Sequence, residues 1–299
     1  MALEIFLRGG LGNQLFQYGA GIYLSRKQNE EAIFRSDLLP LEPDSISTIS
    51  RWPVQISDFN MEGTILSRAN QPLESTDSFS KIMQAGRLLG DKFPKTMLNL
   101  GYLSGEKFVP HDFTSLPRIR QINSYCTSAQ PARLLGELLR NQIINLVNPS
   151  LKFKEMIEES KNLKPTAVHL RLGDYRGLSN LYGQANVEKL RQVIKSVRDT
   201  SDAPTWLFTD SPEDAGPELT RKLGVVKVIG PSSLSSPIEN LISMSSGSSL
   251  ICANSTFSWW AAFLKGPQGK VFYPEARSVP IRVFIGEMVM WDWTGYEAT

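Results

Sequence analysis

The chain has 299 residues, 41% hydrophobic and 21% charged, with a formal net charge of +2. This length allows two domains, and so small a net charge gives no general reason to expect nucleic acid as a partner. Two cysteines and two histidines argue against a disulfide framework and a zinc site. We find no apolar stretch of about 18 residues and no signal peptide, so we expect a cytoplasmic protein without a transmembrane segment.

The N-terminal residues predict a strand, a turn and a helix. Residues 3–7 (LEIFL) are typical of a short buried strand. The loop that follows has three glycines within four positions, and then Asn13 and Gln14. Leu15 stands where a Rossmann fingerprint needs its last glycine, and no G-K-[ST] of a P-loop is present. Exposed backbone N–H groups and two side-chain amides favour a ligand-binding loop; the alternative is a turn that only requires positive φ.

The central part of the chain gives a weaker pattern. Residues 37–125 alternate proline, serine and short apolar runs without a steady period. Within them, residues 101–109 are typical of a loop that enters a strand or a helix, and residues 118–125 favour a strand. We therefore predict α/β structure here without firm boundaries.

From residue 132 the pattern is regular. Residues 132–147 predict a helix, and residues 148–160 predict a second helix with Asn148 as its cap. Strands are then predicted at 166–172, 205–210, 225–230, 249–253 and 270–274, separated by helices at 187–198, 212–223, 237–246 and 256–265. This alternation predicts a parallel, doubly wound sheet, which binds ligands beyond the carboxyl ends of its strands.

The first of these strand ends carries His169, Arg171 and Asp174. Alternate side chains of a strand share a face, so His169 and Arg171 are expected to point the same way. The planar fork of an arginine holds two phosphate oxygens at once, and we predict an anion site here. The alternative is an ion pair between Arg171 and Asp174 that merely closes a loop.

Two further strand ends carry polar side chains. Asp210 is a candidate ligand residue, although an aspartate in such a turn is also an ordinary helix N-cap. The predicted helix at 256–265 offers free N–H groups and a positive dipole end to a phosphate; the alternative is a well-capped helix with a tryptophan core. The candidate residues at its start are Asn254, Ser255, Thr256, Phe257 and Ser258, with Phe257 or Trp259 as an apolar wall for a ligand ring.

The motifs together resemble one enzyme family. They run in the family's order from residue 9 to about residue 264, and they are GGLGNQLFQYG, GYLSGEKF, VHLRLGDY, FTD and NSTFSWWAAFL. In this combination they resemble the bacterial α-1,2-fucosyltransferases of glycosyltransferase family 11. The resemblance implies a GT-B fold, in which two Rossmann-like domains face a central cleft. We expect an acceptor-side domain at 1–150, a GDP-fucose-binding domain at 151–285, and a tail at 286–299 that packs back on the first domain.

The resemblance also implies an activity. It implies inverting transfer of L-fucose from GDP-fucose, a substrate, to the 2-hydroxyl of a terminal galactose, by single displacement. The expected acceptor is a galactose-terminated glycan such as lactose or a surface polysaccharide precursor. No cofactor or metal is expected, in agreement with the absence of an Asp-x-Asp motif from the sequence. A location at the inner face of the membrane is the alternative to a fully cytoplasmic one.

Residue roles follow from the same resemblance. Arg171 is expected on the GDP β-phosphate, and residues 254–260 near the phosphates and the fucose. The family's second arginine is replaced here by Leu172, which puts secondary support of the loop in doubt. The glycine-rich loop is expected to reach across the cleft to the donor through Gly10, Gly12, Asn13 and Gln14.

The general base and the acceptor-binding residues stay open at this point. Asp174, Glu106 and His169 are candidates for the base, and a good leaving group reduces the need for one. Two other functions also stay open. One is a fucosyltransferase of another linkage or an enzyme for another nucleotide sugar; the other is a non-catalytic nucleotide- or glycan-binding module.

Overall fold

The structure is a computed structural model. It divides into two compact units, Met1–Leu146 and Val147–Thr299, so the boundary lies four residues before the expected one at 150. Within these units, the residues that the structure describes are 2–36, 53–66, 78–173, 186–198, 200, 202–275 and 282–297.

The N-terminal unit is built on a parallel sheet. Its described strands are β1 (Ala2–Phe6), β2 (Glu31–Arg35), β3 (Thr64–Leu66), β4 (Tyr102–Gly105) and β5 (Gln121–Ser124). They lie in the order β3-β2-β1-β5-β4. Its described helices are α1 (Leu11–Gln28), α2 (Ser78–Lys92), α3 (Pro94–Asn99), α4 (Ala129–Leu135) and α5 (Glu137–Ile144), with a 3₁₀ turn at Ile56–Asp58.

Close packing of α1 on the centre of this sheet holds the unit together. Strand β1 is central and buries Leu3 and Ile5 completely. Gly21 allows α1 to approach, because a Cβ there would lie 2.9 Å from Cγ1 of Ile5. The helix ends with Asn29 in the left-handed conformation, at φ 54°.

The C-terminal unit has a second parallel sheet, as the regular pattern predicts. Its described strands are β6 (Thr166–Leu170), β7 (Thr205–Thr209), β8 (Val225–Ile229), β9 (Ser249–Ile251), β10 (Lys270–Glu275) and β11 (Thr294–Glu297). They lie in the order β11-β10-β9-β6-β7-β8. The described helices are α6 (Leu151–Leu163), α7 (Val187–Arg198), α8 (Pro217–Leu223), α9 (Pro237–Ser245) and α10 (Thr256–Lys265), with 3₁₀ turns at Pro212–Asp214 and Gly286–Met288.

Two helix predictions before this sheet are corrected. The single helix expected at 132–147 begins earlier and is divided into α4 and α5, because Gly136 adopts a positive φ of 51°. The cap of α6 is Ser150 rather than Asn148. Its hydroxyl accepts a hydrogen bond from the backbone N–H of Phe153 at 3.1 Å.

The last described residues are attached to the C-terminal sheet. Strand β11 pairs in parallel with β10, and the indole N–H of Trp259 donates to the carbonyl of Met288 at 2.7 Å. Residues 286–297 are therefore part of the C-terminal unit, where β11 supplies an edge strand; the expected packing of the tail on the first domain stays a prediction.

Strand β6 directs alternate side chains to opposite faces of the sheet. Val168 and Leu170 join a buried cluster with Leu190 and Ile194 of α7. His169, between them, lies on the side of α10. Among the described residues, no helix combines the length and apolar character needed to cross a bilayer.

Candidate functional site

Three neighbouring strands bring the predicted polar residues to one edge of the C-terminal sheet. Strand β6 lies between β9 and β7 and is parallel to both. Arg171 follows β6, Asp210 follows β7, and the start of α10 follows β9. Because carboxyl ends of adjacent parallel strands meet at the same edge, the three predicted segments are neighbours in the fold.

His169 links β6 to the start of α10. Its Nδ1 lies 2.5 Å from the hydroxyl oxygen of Ser258, which also accepts the backbone N–H of Ala253 at 3.0 Å. The hydroxyl proton of Ser258 is then available for Nδ1, so we place the imidazole proton on Nε2. The ring centroid of Phe257 is 5.7 Å from that of His169.

The imidazole of His169 is neutral at physiological pH. Burial, together with the nearby charge of Arg171, lowers its pKa to about 3, although the carboxylate of Asp210 acts in the opposite direction. The side chain is only 4% exposed. These features make His169 a weak proton acceptor and a brace between the strand and the helix; a catalytic role for it stays a prediction.

Arg171 forms an ion pair with Asp210. Its Nε lies 3.2 Å from Oδ2 of Asp210, and the two side chains are 20% and 18% exposed. The alternative of an ion pair between Arg171 and Asp174 stays a prediction. Asp174 lies outside the described residues.

Asp210 also holds the loop after β6. Its Oδ1 accepts the backbone N–H groups of Leu172 at 2.8 Å and Gly173 at 3.2 Å. Burial alone would raise the pKa of Asp210, but the charge of Arg171 and these two hydrogen bonds lower it below its usual range. Asp210 is therefore an ionised anchor for the loop, and a direct contact with a ligand stays a prediction.

The start of α10 is capped and only partly accessible. The hydroxyl of Ser255 accepts the backbone N–H of Phe257 at 3.2 Å, and Oδ1 of Asn254 accepts the backbone N–H of Val283 at 2.8 Å. Asn254 and Ser255 are buried, whereas Thr256 and Phe257 are half-buried. The first helical turn still presents N–H groups that have no acceptor within the helix, as an anion site requires.

The tryptophans of this helix belong to the core. Trp259 and Trp260 are both completely buried, and their rings pack edge to face at 5.1 Å. Phe257 is thus the aromatic residue of the motif that is placed to form a ligand wall, while Trp259 is not.

The glycine-rich loop of the N-terminal unit has a structural explanation. Gly9 has φ +70°, and a Cβ there would lie 2.6 Å from Nδ2 of Asn13. Gln14 is fully buried. Its amide nitrogen donates to the carbonyls of Gly9 and Pro53, both at 2.9 Å, and its oxygen accepts the N–H of Gln55 at 2.8 Å. The amide of Gln14 therefore fixes the backbone around it.

The other residues of the loop that were predicted to contact the donor lie at the start of α1. Gly10 immediately precedes α1, Gly12 is buried in its first turn, and Asn13 is half-buried. Their contacts with a donor stay predictions.

A second polar cluster lies at the corresponding edge of the N-terminal sheet. Arg8, Glu106 and Tyr125 follow the adjacent strands β1, β4 and β5, and Arg87 extends from α2. Oε1 of Glu106 lies 3.6 Å from Nη2 of Arg8 and 3.4 Å from Nε of Arg87. The guanidinium carbon of Arg8 is 5.1 Å from the centroid of the Tyr125 ring.

Of these four residues, the sequence pointed only to Glu106. Burial, followed by the nearby charge of Arg8, lowers the pKa of Arg87, while Glu106 opposes the shift. Arg8 was detectable, because it directly follows the predicted strand at residues 3–7, and Tyr125 stands at the end of the predicted strand at residues 118–125. Arg87 was not, because its helix lies in the region without a steady period.

Comparison with known proteins identifies the family. The sequence model of glycosyl transferase family 11 matches residues 111–278, more than half of the chain. The chain belongs to glycosyl transferase family 11. It is 26% identical over 283 residues to the O-antigen biosynthesis glycosyltransferase WbnK of Escherichia coli, covering 89% of this chain and 91% of that protein.

A solved structure agrees with the fold of this family member. A crystal structure of the α-1,6-fucosyltransferase NodZ soaked with GDP-fucose matches with a TM-score of 0.50 at 14% identity, covering 93% of this chain and 97% of that one. Together with the two parallel-sheet units, this likeness confirms the predicted GT-B fold class. The chain is thus a glycosyltransferase with two α/β domains.

Proposed function

We propose that this family 11 glycosyltransferase transfers L-fucose from GDP-fucose to the 2-hydroxyl of a terminal galactose in a glycan acceptor, with inversion. The observation that carries the proposal is the convergence of Arg171 and the first turn of α10 at adjacent strand ends of the C-terminal sheet. A guanidinium and helix N–H groups are the donors that bind a diphosphate. The family motifs support fucose as the transferred sugar.

The reaction is a single displacement. The acceptor hydroxyl oxygen attacks C1 of the fucose, the bond from C1 to the β-phosphate oxygen breaks, and its electron pair leaves with GDP. Negative charge grows on the β-phosphate, where Arg171 and the N–H groups of α10 stabilise it. Removing one preorganised donor of this kind costs about 3–4 kcal/mol of transition-state stabilisation.

The base that takes the acceptor proton is the open part of this proposal. The low pKa of His169 disfavours it, because an efficient base has a pKa near the working pH. Asp174 and Glu106 stay candidates. Glu106 is a half-exposed carboxylate beside two arginines.

The second candidate function is fucosyl transfer with another linkage. NodZ is an α-1,6-fucosyltransferase with the same fold, so the fold alone does not fix which hydroxyl reacts. The resemblance of the motifs favours the 2-hydroxyl.

The test is to incubate the purified protein with GDP-fucose and a panel of galactose-terminated sugars that includes lactose, and to identify the product bond by NMR. We expect an α-1,2-linked fucosyl galactoside and free GDP. A product with another linkage supports the second candidate. Binding of GDP without transfer to any sugar would instead indicate a non-catalytic binding module.

A further inference from the structure

The exposed apolar side chains of the N-terminal unit are concentrated in one segment. In the described part of this unit, ten large apolar side chains are more than a third exposed. Six of them lie in α2, α3 and the residues that follow, and they are Ile82, Leu88, Leu89, Phe93, Leu100 and Tyr102. Such a concentration marks an interaction surface, whereas single exposed apolar residues are ordinary.

The helix α2 has one face on the sheet and one face in solvent. On the inner face Met83 is buried, and a Cβ at Gly90 would lie 1.9 Å from the carbonyl oxygen of Ser104 in β4. On the outer face Ile82 and Leu89 are two turns apart, and Phe93 continues the same row. These three side chains are 66%, 48% and 49% exposed.

Lysines lie beside this apolar row. Lys81, Leu88 and Lys92 form the next row along the helix with the same spacing, and Lys95 follows in α3; all four are exposed. Nζ of Lys92 lies 5.6 Å from the centroid of the Phe93 ring. The surface is therefore apolar and cationic at once.

The acidic residue of α2 is occupied by hydrogen bonds to a neighbouring loop. Asp91 is the single acidic residue between positions 78 and 102 of the sequence. Its carboxylate accepts the backbone N–H groups of Glu106, Lys107 and Phe108 at 2.8–3.1 Å. The positive charge of the lysines is thus left for a partner outside the helix.

We propose that this surface docks on an anionic lipid bilayer. It is called the α2 face here and consists of Lys81, Ile82, Leu88, Leu89, Lys92, Phe93, Lys95 and Leu100. Apolar side chains that enter the headgroup region, flanked by lysines that attract anionic lipids, are the features of interfacial helices. A second copy of the chain is a poorer partner, since a two-fold contact would bring two lysine rows together and none of the eight residues of the α2 face carries a carboxylate.

The test is co-sedimentation of the full chain with lipid vesicles. We expect binding to vesicles that contain phosphatidylglycerol, weaker binding as salt is raised, and little binding to phosphatidylcholine alone. Leu89→Glu is expected to lower partitioning by about tenfold or more. The matched control is Leu134→Glu in α4, since Leu134 is 50% exposed and Leu89 48%; it is expected to bind like the wild type.

Three results would overturn the proposal. One is a wild-type protein that does not bind anionic vesicles, and another is an equal loss of vesicle binding in Leu89→Glu and Leu134→Glu. The third is a concentration-dependent dimer that Leu89→Glu dissociates while vesicle binding is absent, which would assign the α2 face to a second copy. Vesicle binding requires no turnover, so these results are independent of the proposed transfer reaction.

Discussion

Two strand-end loops, one in each unit, are held by a carboxylate from a neighbouring element. Asp210, after β7, accepts backbone N–H groups of residues 172–173, and Asp91, in the last turn of α2, accepts those of residues 106–108. The two loops differ in their cations. Asp210 also orients Arg171, whereas in the N-terminal unit two arginines lie against Glu106, which is part of the loop itself.

The arginines at the two edges therefore have different roles. At the C-terminal edge the anchoring carboxylate fixes both the backbone and the guanidinium, so Arg171 is preorganised for an incoming anion. At the N-terminal edge Asp91 fixes the backbone, and the arginines fix the direction of Glu106. The predictions below test whether that division of roles is correct.

The largest expected effect is that of Arg171→Ala. Loss of the proposed phosphate contact should lower kcat/KM for GDP-fucose about a hundred- to a thousandfold. The melting temperature and circular dichroism of the variant establish whether it is folded. Arg87→Ala is the comparison variant at the other edge, and its affinity for GDP should stay unchanged. An equal loss of GDP affinity in Arg171→Ala and Arg87→Ala would contradict the claim that only the edge of the C-terminal sheet binds the phosphate.

A second prediction concerns the stability of the C-terminal unit at acid pH. The pKa of His169 is lowered to about 3 by burial and by Arg171, whereas an unfolded histidine titrates near 6.5. Between these values the unfolded state binds the extra proton, so stability is complete above about pH 6.5 and falls as the pH decreases. The expected slope approaches about 1.4 kcal/mol per pH unit.

Urea unfolding of the wild type and of His169→Asn at several pH values measures the contribution of His169 to the pH dependence of the free energy of unfolding. Asn offers an oxygen near the position of Nδ1 and does not titrate. The gap between the wild type and the variant should therefore change steadily below about pH 6.5. Parallel curves for the two proteins would show that His169 has an ordinary pKa.

Asp210→Asn tests the orientation of Arg171 with a smaller expected loss. The amide oxygen still accepts the N–H groups of Leu172 and Gly173, but the charge that faces the guanidinium is removed. We expect about a tenfold decrease in kcat/KM, or about 1.4 kcal/mol. Wild-type kinetics in this variant would mean that the ion pair does not position Arg171.

The smallest expected effect on donor binding is that of Asp91→Ala. It removes three backbone hydrogen bonds to a carboxylate, at a site open enough for water to replace part of them, so the loss of stability should be about 1–2 kcal/mol. GDP affinity should not change. A large decrease in GDP affinity would show that the loop at residues 106–108 contributes to GDP binding, which contradicts this prediction.

Much of the C-terminal unit was predictable, because its strands and helices follow one another with clear periods. The predicted strand ends differ from the observed ones by two residues at most. The partner of Arg171 was not predictable: Asp210 lies 39 positions further along the chain, and only the order of the strands brings the two together.

The region around α2 could not be predicted for a physical reason. Gly86 and Gly90 are poor helix formers, and they obscure the helical pattern. Gly90 is required because the helix backbone contacts β4 directly at Ser104. The same tertiary packing that needs glycine therefore removed the local signal of α2, and with it the positions of Arg87 and the α2 face.

The most direct test of the central claim is a crystal structure of the protein with GDP. The account predicts that the β-phosphate lies within hydrogen-bonding distance of the Arg171 guanidinium and of N–H groups in the first turn of α10. A diphosphate bound away from both groups would contradict it.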